Sequence, residues 1–286
     1  MLNDTTQLFF PASGIVAVPV LLTPQIVRCH AAGPGGRPLT VLIDTGTDPS
    51  AIDLGLARRL GLRVGDFALG QGAASDAVPF TETVLPWLRI GDLTLRDLYL
   101  LAVDLSAMPF PVDLVLGYNV LPKCILHIDY AQQRVVLRHP DLGPPLPSPL
   151  GSSMPLAFFE HFPALHNLVI NDTLTIPLAT IDTGSNGGIT LGPDLAAQLE
   201  LHPSTAEVER VRGDGFGGGG EVLRWHAAKL RLGPFELANI ALDVLASSSG
   251  DLGRHGRANL GNCILGRFAS ITLDYERQVC VIEPLI

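Results

Sequence analysis

The feature that most constrains this chain is a plan that occurs twice. Ile43-Asp44-Thr45-Gly46-Thr47 returns as Ile181-Asp182-Thr183-Gly184-Ser185. Leu88-Arg89-Ile90-Gly91 returns as Leu230-Arg231-Leu232-Gly233, Leu116-Gly117 as Leu260-Gly261, and Asp129-Tyr130 as Asp274-Tyr275. The pairs keep their order, and the spacing between partners widens only slowly along the chain. Chance supplies one such pair easily; a whole series in register predicts an internal duplication with short loop insertions added later. The expectation is therefore two lobes of one design.

The boundary between the copies is marked by composition. From His139 to Pro155 the chain carries Pro140, Pro144, Pro145, Pro147, Pro149 and Pro155, a density that favours extended, semi-rigid linker geometry. This places a first lobe at 1–139, a linker at 140–155 and a second lobe at 156–286. Each copy has the same coarse pattern. A hairpin leads into Asp-Thr-Gly: Ile26 to Cys29 with Thr40 to Ile43 in the first, Leu168 to Ile170 with Leu174 to Ile181 in the second, the latter turning at Asn171-Asp172. Short helical patterns follow, Ala51 to Leu60 and Pro193 to Leu199. Then come a Gly-rich stretch, alternating strands, a Leu-Gly and a last hairpin around Asp-Tyr. The predicted class is all-β with minor helix.

Composition agrees. Hydrophobic residues make up 47% of the 286, enough for a sizeable core, whereas charged residues are only 16% against about 25% in a typical soluble domain. A net charge of −9 and no basic run argue against nucleic acid as a partner. Cys29, Cys124, Cys263 and Cys280 have no C-x-x-C spacing and are read as separate buried thiols, with disulfides left open because sequence alone does not pair them; no His or Cys cluster has the spacing of a zinc site. The apolar run Gly14 to Leu22 is too short to span a bilayer and contains Pro19, so it is expected to be a strand, with no membrane as partner. No Lys or Arg precedes Arg28, so no secretory leader is visible and a cytoplasmic location is expected, with a periplasmic or secreted one open if a leader was trimmed.

The chemistry lies in the repeated Asp. An apolar strand that delivers Asp-Thr-Gly anchors a carboxylate on a rigid element, and the glycine permits a tight turn and close approach of another backbone. Two such loops facing each other let Asp44 and Asp182 share one proton, because like charges that close cannot both ionise cheaply. A singly protonated pair can take a proton from water and give one to a peptide carbonyl oxygen, which is amide hydrolysis by general acid–base catalysis.

These motifs resemble the paired active-site motifs of pepsin-like aspartic peptidases. The short lobes, with Leu-Gly followed by an Asp-Tyr hairpin, are more similar to retropepsins and their bacterial relatives, fused in one chain. The resemblance implies two pseudo-symmetric β-barrel lobes, an endopeptidase with Asp44 and Asp182 as catalytic pair, an extended peptide or protein as substrate, no cofactor and no metal, and a monomer with a pseudo-dimeric site. It implies that Thr45 and Thr183 lock the loops by crossed hydroxyl-to-backbone bonds, with Gly46 and Gly184 beside them. Leu116-Gly117 and Leu260-Gly261 would be the hydrophobic-Gly segments that thread the active-site loops. Gly70-Gln71-Gly72 and, within Gly213 to Gly220, Gly215-Phe216-Gly217 fall where the family carries flaps. Asn259 departs from the apolar residue the family places before Leu-Gly. Thr47 and Ser185 each offer a hydroxyl to the outer oxygen of its Asp, so an acid-side pH optimum is expected.

Two other classes remain open on the sequence. A peptide-binding module on the same fold would hold an extended chain without cutting it. Actin- and sugar-kinase-like ATP-binding proteins also carry two Asp-x-Gly-Thr/Ser motifs, but they need long helices on mixed sheets. Gly217 to Gly220 lacks the Lys and Ser/Thr of a phosphate-cradling loop. Trp87 and Trp225 are expected in core or flap-base packing, and His127 and His139 at the surface or in a hairpin.

Overall fold

The computed structural model describes residues 3–22, 25–73, 75–201, 208–215, 218–246, 249–254 and 256–285. The first half opens with β1 (Gln7–Phe9), β2 (Ile15–Pro19), β3 (Arg28–Ala32), β4 (Pro38–Ile43) and β5 (Ala51–Asp53). After helix α1 (Leu54–Arg59) come β6 (Ala68–Gly70), β7 (Val78–Ile90), β8 (Leu93–Val103), β9 (Leu114–Leu116), β10 (Ile125–Asp129) and β11 (Arg134–Arg138). The second half opens with β12 (Ser152–Pro155), β13 (Ala157–Phe159), β14 (Phe162–Ile170), β15 (Leu174–Ile181) and β16 (Ile189–Leu191). Helix α2 (Pro193–Gln198) precedes β17 (Glu209–Gly215), β18 (Gly218–Leu232), β19 (Phe235–Leu245) and β20 (Ala258–Leu260), and helix α3 (Asn262–Leu265) precedes β21 (Phe268–Asp274) and β22 (Val279–Pro284). Strands dominate, as the alternation of apolar and polar residues predicts.

Each lobe closes on itself. In the first, the circuit runs β3, β4, β9, β5, β8, β7 and back to β3, where Ala32 meets Arg89. In the second it runs β14, β15, β20, β16, β19, β18 and back to β14 through Val169–Arg231 and Ile170–Leu230. Closure removes the open sheet edges that would otherwise invite pairing with other chains. β6 extends β7 and β17 extends β18 as a projecting hairpin on each lobe.

A third sheet joins the lobes, in the order β12-β22-β21-β10-β11-β2. Its centre is the antiparallel pair β10–β21, where Leu126 faces Leu273 and Ile128 faces Ile271. All four are buried in a core that runs without a break from one barrel through this sheet into the other. The sheet has three strands from each half, and β2 and β12 take equivalent outer places.

Some expectations are corrected. The Pro-rich stretch read as a linker contains a 310 turn at Pro140–Leu142 and the strand β12, and the Glu283 carboxylate holds it by accepting from Ser148 N and Ser148 Oγ. The first helical pattern is shorter than predicted: Ala51 to Asp53 pairs into the barrel, and α1 starts only where the Asp53 carboxylate caps it by accepting from Leu56 N at 2.7 Å. Trp225 is buried but Trp87 is 40% exposed, because β7 turns that face outward. His127 lies in the β10–β11 hairpin opposite Val136, and its Nδ1 also lies 2.8 Å from Thr272 Oγ1 across the inter-lobe seam. All four cysteines are free thiols, three of them buried and Cys263 half-buried. Among the described residues no helix is long and apolar enough to cross a membrane.

Candidate active site

Asp44 and Asp182 sit at equivalent ends of β4 and β15, and in both lobes a threaded strand fixes the loop. β9 lies between β4, to which it is parallel, and β5, to which it is antiparallel; β20 lies likewise between β15 and β16. Asp44 N donates to Leu116 O at 3.0 Å and Asp182 N to Leu260 O at 2.9 Å. The glycines that follow are required by space. A Cβ on Gly117 would collide with Thr47 O, and one on Gly261 with Gly187 O.

Across the lobes, two threonines bind the loops together. Thr45 Oγ1 donates to Ile181 O at 2.5 Å and accepts from Thr183 N at 3.1 Å. Thr183 Oγ1 donates to Ile43 O at 2.7 Å and accepts from Thr45 N at 3.2 Å. Both threonines are buried, so each bond is made where an unpaired partner would be costly. This lattice brings each Asp-Thr-Gly glycine against the other lobe's carboxyl. A Cβ on Gly46 would stand 2.8 Å from Asp182 Cγ, and one on Gly184 would overlap Asp44 Cγ.

The two carboxyls are finished differently. Asp44 Oδ1 accepts from Gly46 N at 2.8 Å and Oδ2 from Thr47 Oγ1 at 2.5 Å. Asp182 Oδ1 accepts from Gly184 N at 2.9 Å and Ser185 N at 3.0 Å, and Oδ2 from Asn259 Nδ2 at 2.8 Å. The expectation for Ser185 is therefore corrected. Its hydroxyl accepts from Gly187 N at 3.1 Å, and the outer-oxygen donor is the side chain of Asn259, itself oriented by Thr180 Oγ1, which donates to Asn259 Oδ1 at 2.6 Å. The residue that departs from the family pattern fills the position the serine vacates.

Burial raises both carboxyls above the usual carboxylate range, and for Asp44 the charge of Asp182 adds to it. The Thr47 and Gly46 donors oppose this at Asp44; Asn259, Gly184 and Ser185 oppose it at Asp182. The pair titrates as a unit, and the ionised form is better served at Asp182, which has three N–H donors.

The pair lies in a cleft of about 790 Å³ between the lobes, which both Gly70-Gln71-Gly72 and Val211 to Gly213 line. The first hairpin is latched across this cleft. Asp251 N donates to Gly72 O at 3.1 Å, Leu252 N to Ala73 O at 3.1 Å, and Gly250 N to Asp76 Oδ1 at 3.0 Å. Of the second predicted flap, Gly215 ends β17, whereas Phe216 and Gly217 lie outside the described residues. Asp48 Oδ2 and His161 Nε2 also approach to 2.9 Å across the lobes at the cleft wall, without the alignment of a hydrogen bond. Neither the 250–252 segment nor His161 carries a sequence signal, since each acts only through proximity in the fold. Among the described residues, no group of three or more His, Cys, Asp or Glu stands where it could hold a metal ion.

Comparison with known proteins adds three findings. No functionally curated protein matches the chain. Among solved structures, a retropepsin-like aspartic protease from Rickettsia conorii is 19% identical, with a TM-score of 0.34, 46% of this chain covered and 90% of that one. The family model described as aspartyl protease matches residues 32–120 and 167–267, regions that contain Asp44 and Asp182 respectively. Those two regions make up well over half of the sequence, and the chain belongs to the aspartyl protease family.

Proposed function

We propose that the protein is an endopeptidase in which Asp44 and Asp182 share one proton and activate water against a peptide carbonyl. The observation that carries this reading is the mutual approach of the two loops, each glycine seated on the opposite carboxyl and locked there by the crossed threonines. The carboxyl with more donors, Asp182, holds the charge and takes the proton from water; Asp44 holds the shared proton and gives it to the carbonyl oxygen. Both lobes come from one chain, so a monomer contains the complete dyad. The cleft suits an extended peptide, and the latch over it must open for a substrate to enter.

The pH range follows from the same balance. Burial and mutual repulsion hold one proton on the pair well above the ordinary carboxylate range; burial raises Asp182 too, and its donors limit that rise so that the other proton leaves first. Activity is greatest between these two steps, on the acid side of neutrality.

Hydrolysis of denatured casein from pH 3 to 8 tests the reading, with Asp44→Asn and Asp182→Asn beside the wild type and a statine-type transition-state mimic as inhibitor. The expected result is a bell-shaped profile peaking below pH 7, inhibition by the mimic and a loss of about 10³-fold or more in each variant. Undiminished cleavage in either folded variant would exclude the shared dyad. Peptide binding without cleavage at any pH would leave a binding module on this fold.

A further inference from the structure

The two walls of the cleft are built from equivalent rows of residues with opposite chemistry. In the first lobe, Leu42 is paired with Val115, Val115 with Ala51, and Ala51 with Leu101, a row running across β4, β9, β5 and β8. In the second, the same strand pairings place Thr180 beside Asn259, Asn259 beside Thr190, and Thr190 beside Asp243. One step further, the neighbour of Asp243 on β18 is Arg224. Over the first four positions an apolar row thus faces a polar one; the first-lobe counterpart of Arg224 is Glu82, which is not among the residues lining the cleft. Leu42, Ala51 and Leu101 line the cleft on one side, and Thr180, Thr190, Asp243, Arg224 and Asn259 line it on the other.

The polar row is organised. Asp243 is buried, accepting from Gly188 N at 3.0 Å and from Arg224 Nε and Nη2 at 2.6 and 3.1 Å. These bonds use two of the five guanidinium N–H groups. Arg224 lines the cleft and is part-exposed, with 27% of its side chain accessible, so a side chain bound there can reach the guanidinium. The apolar row belongs instead to a cluster with Ile26 and Val103, against which Phe80, Met108 and Phe110 pack.

In an extended peptide, successive side chains point to opposite faces. The two residues flanking the scissile bond therefore address opposite walls. An apolar side chain pressed onto the second-lobe row would strip water from Arg224 and Thr190 without replacing their hydrogen bonds, a cost that a side chain with its own acceptor avoids. Resting on the peptidase reading, we propose that the second-lobe wall is a specificity subsite for a substrate side chain bearing an amide or carboxyl oxygen. The first-lobe wall takes an apolar side chain on the other side of the bond, and Arg224, held by Asp243, is the specificity-determining residue.

The test uses statine-type peptide mimics with Leu on one side of the central unit and Leu, Gln or Glu on the other, in both orientations. Binding is measured by calorimetry, with cleavage of the matching peptides in parallel. Gln or Glu on one side is expected to bind at least tenfold tighter than the Leu/Leu mimic. The double variant Asp243→Leu/Arg224→Val, which leaves no buried charge unpaired, is expected to lose that preference, and Thr190→Ala, which keeps the ion pair, to reduce it. Tightest binding of the Leu/Leu mimic by the wild type overturns the proposal, as does failure of every mimic to bind. Selective binding without cleavage keeps the subsite and removes the peptidase reading; cleavage with Leu preferred on both sides does the reverse.

Discussion

The loops around Asp44 and Asp182 share a backbone course and differ two residues further on. After Thr47 comes Asp48-Pro49, and proline has no N–H, so the Thr47 hydroxyl is left for the carboxylate. After Ser185 comes Asn186-Gly187, and the Gly187 N–H claims the serine hydroxyl in a local turn. The second carboxyl is then completed from β20 by Asn259, at the position where the first lobe has Val115. A duplicated motif can keep its geometry while the chemistry around it is redistributed. The hydroxyl after Asp-Thr-Gly can be read only together with the two residues that follow it.

Three measurements test this contrast, beginning with what the lobes have in common. Thr45→Val and Thr183→Val each remove a hydroxyl that both donates and accepts across the lobes, leaving a buried carbonyl and a buried N–H unpaired. Each should lower stability by about 2–5 kcal/mol, seen as a fall in Tm of several degrees together with most of the activity. If only one of the two had this effect, the symmetric lock would not hold.

Smaller changes separate the loops. Thr47→Ala and Asn259→Val each delete one donor to a carboxylate oxygen. Losing a bond to the charged form raises the pKa of the pair. The acid limb of kcat/KM follows the first proton, which leaves Asp182, and the alkaline limb the second, which leaves Asp44; the acid limb should therefore move to higher pH in Asn259→Val and the alkaline limb in Thr47→Ala. A limb that stayed in place in Asn259→Val would remove Asn259 from the proton balance. Ser185→Ala should have the least effect. The hydroxyl it removes touches Gly187 N and not the carboxylate, so the pH profile should overlay that of the wild type. A shift matching that of Thr47→Ala would mean that the two loops are equivalent in solution after all.

Much of this was legible in the residues. The repeated Ile-Asp-Thr-Gly and Leu-Gly placed both carboxyls and both threading strands, since each needs a specific residue type at a specific place: a glycine where a Cβ cannot fit, a threonine where one hydroxyl must serve two lobes. What was not legible depends on distance through space. Asn259 stood out only as an exception, because its reach to Asp182 depends on the pairing of β15 with β20. Arg224 and Asp243 belong to different strands, and only the register of β18 on β19 makes them partners. The latch from Gly250, Asp251 and Leu252 joins a hairpin of one lobe to a loop of the other, and a single sequence does not encode such a pairing visibly.

The seam between the lobes also bears on how the chain is made. His127 on β10 meets Thr272 on β21, residues 145 apart in sequence. At roughly 5–20 residues per second, a ribosome needs on the order of ten seconds to deliver the second after the first. During that interval β10 is covered on one side by β11, while its other edge, with Leu126 and Ile128, has no partner. Unpaired apolar edges are where nascent chains aggregate. The strand that later holds the two lobes together is, for those seconds, an open apolar edge of the half-made protein.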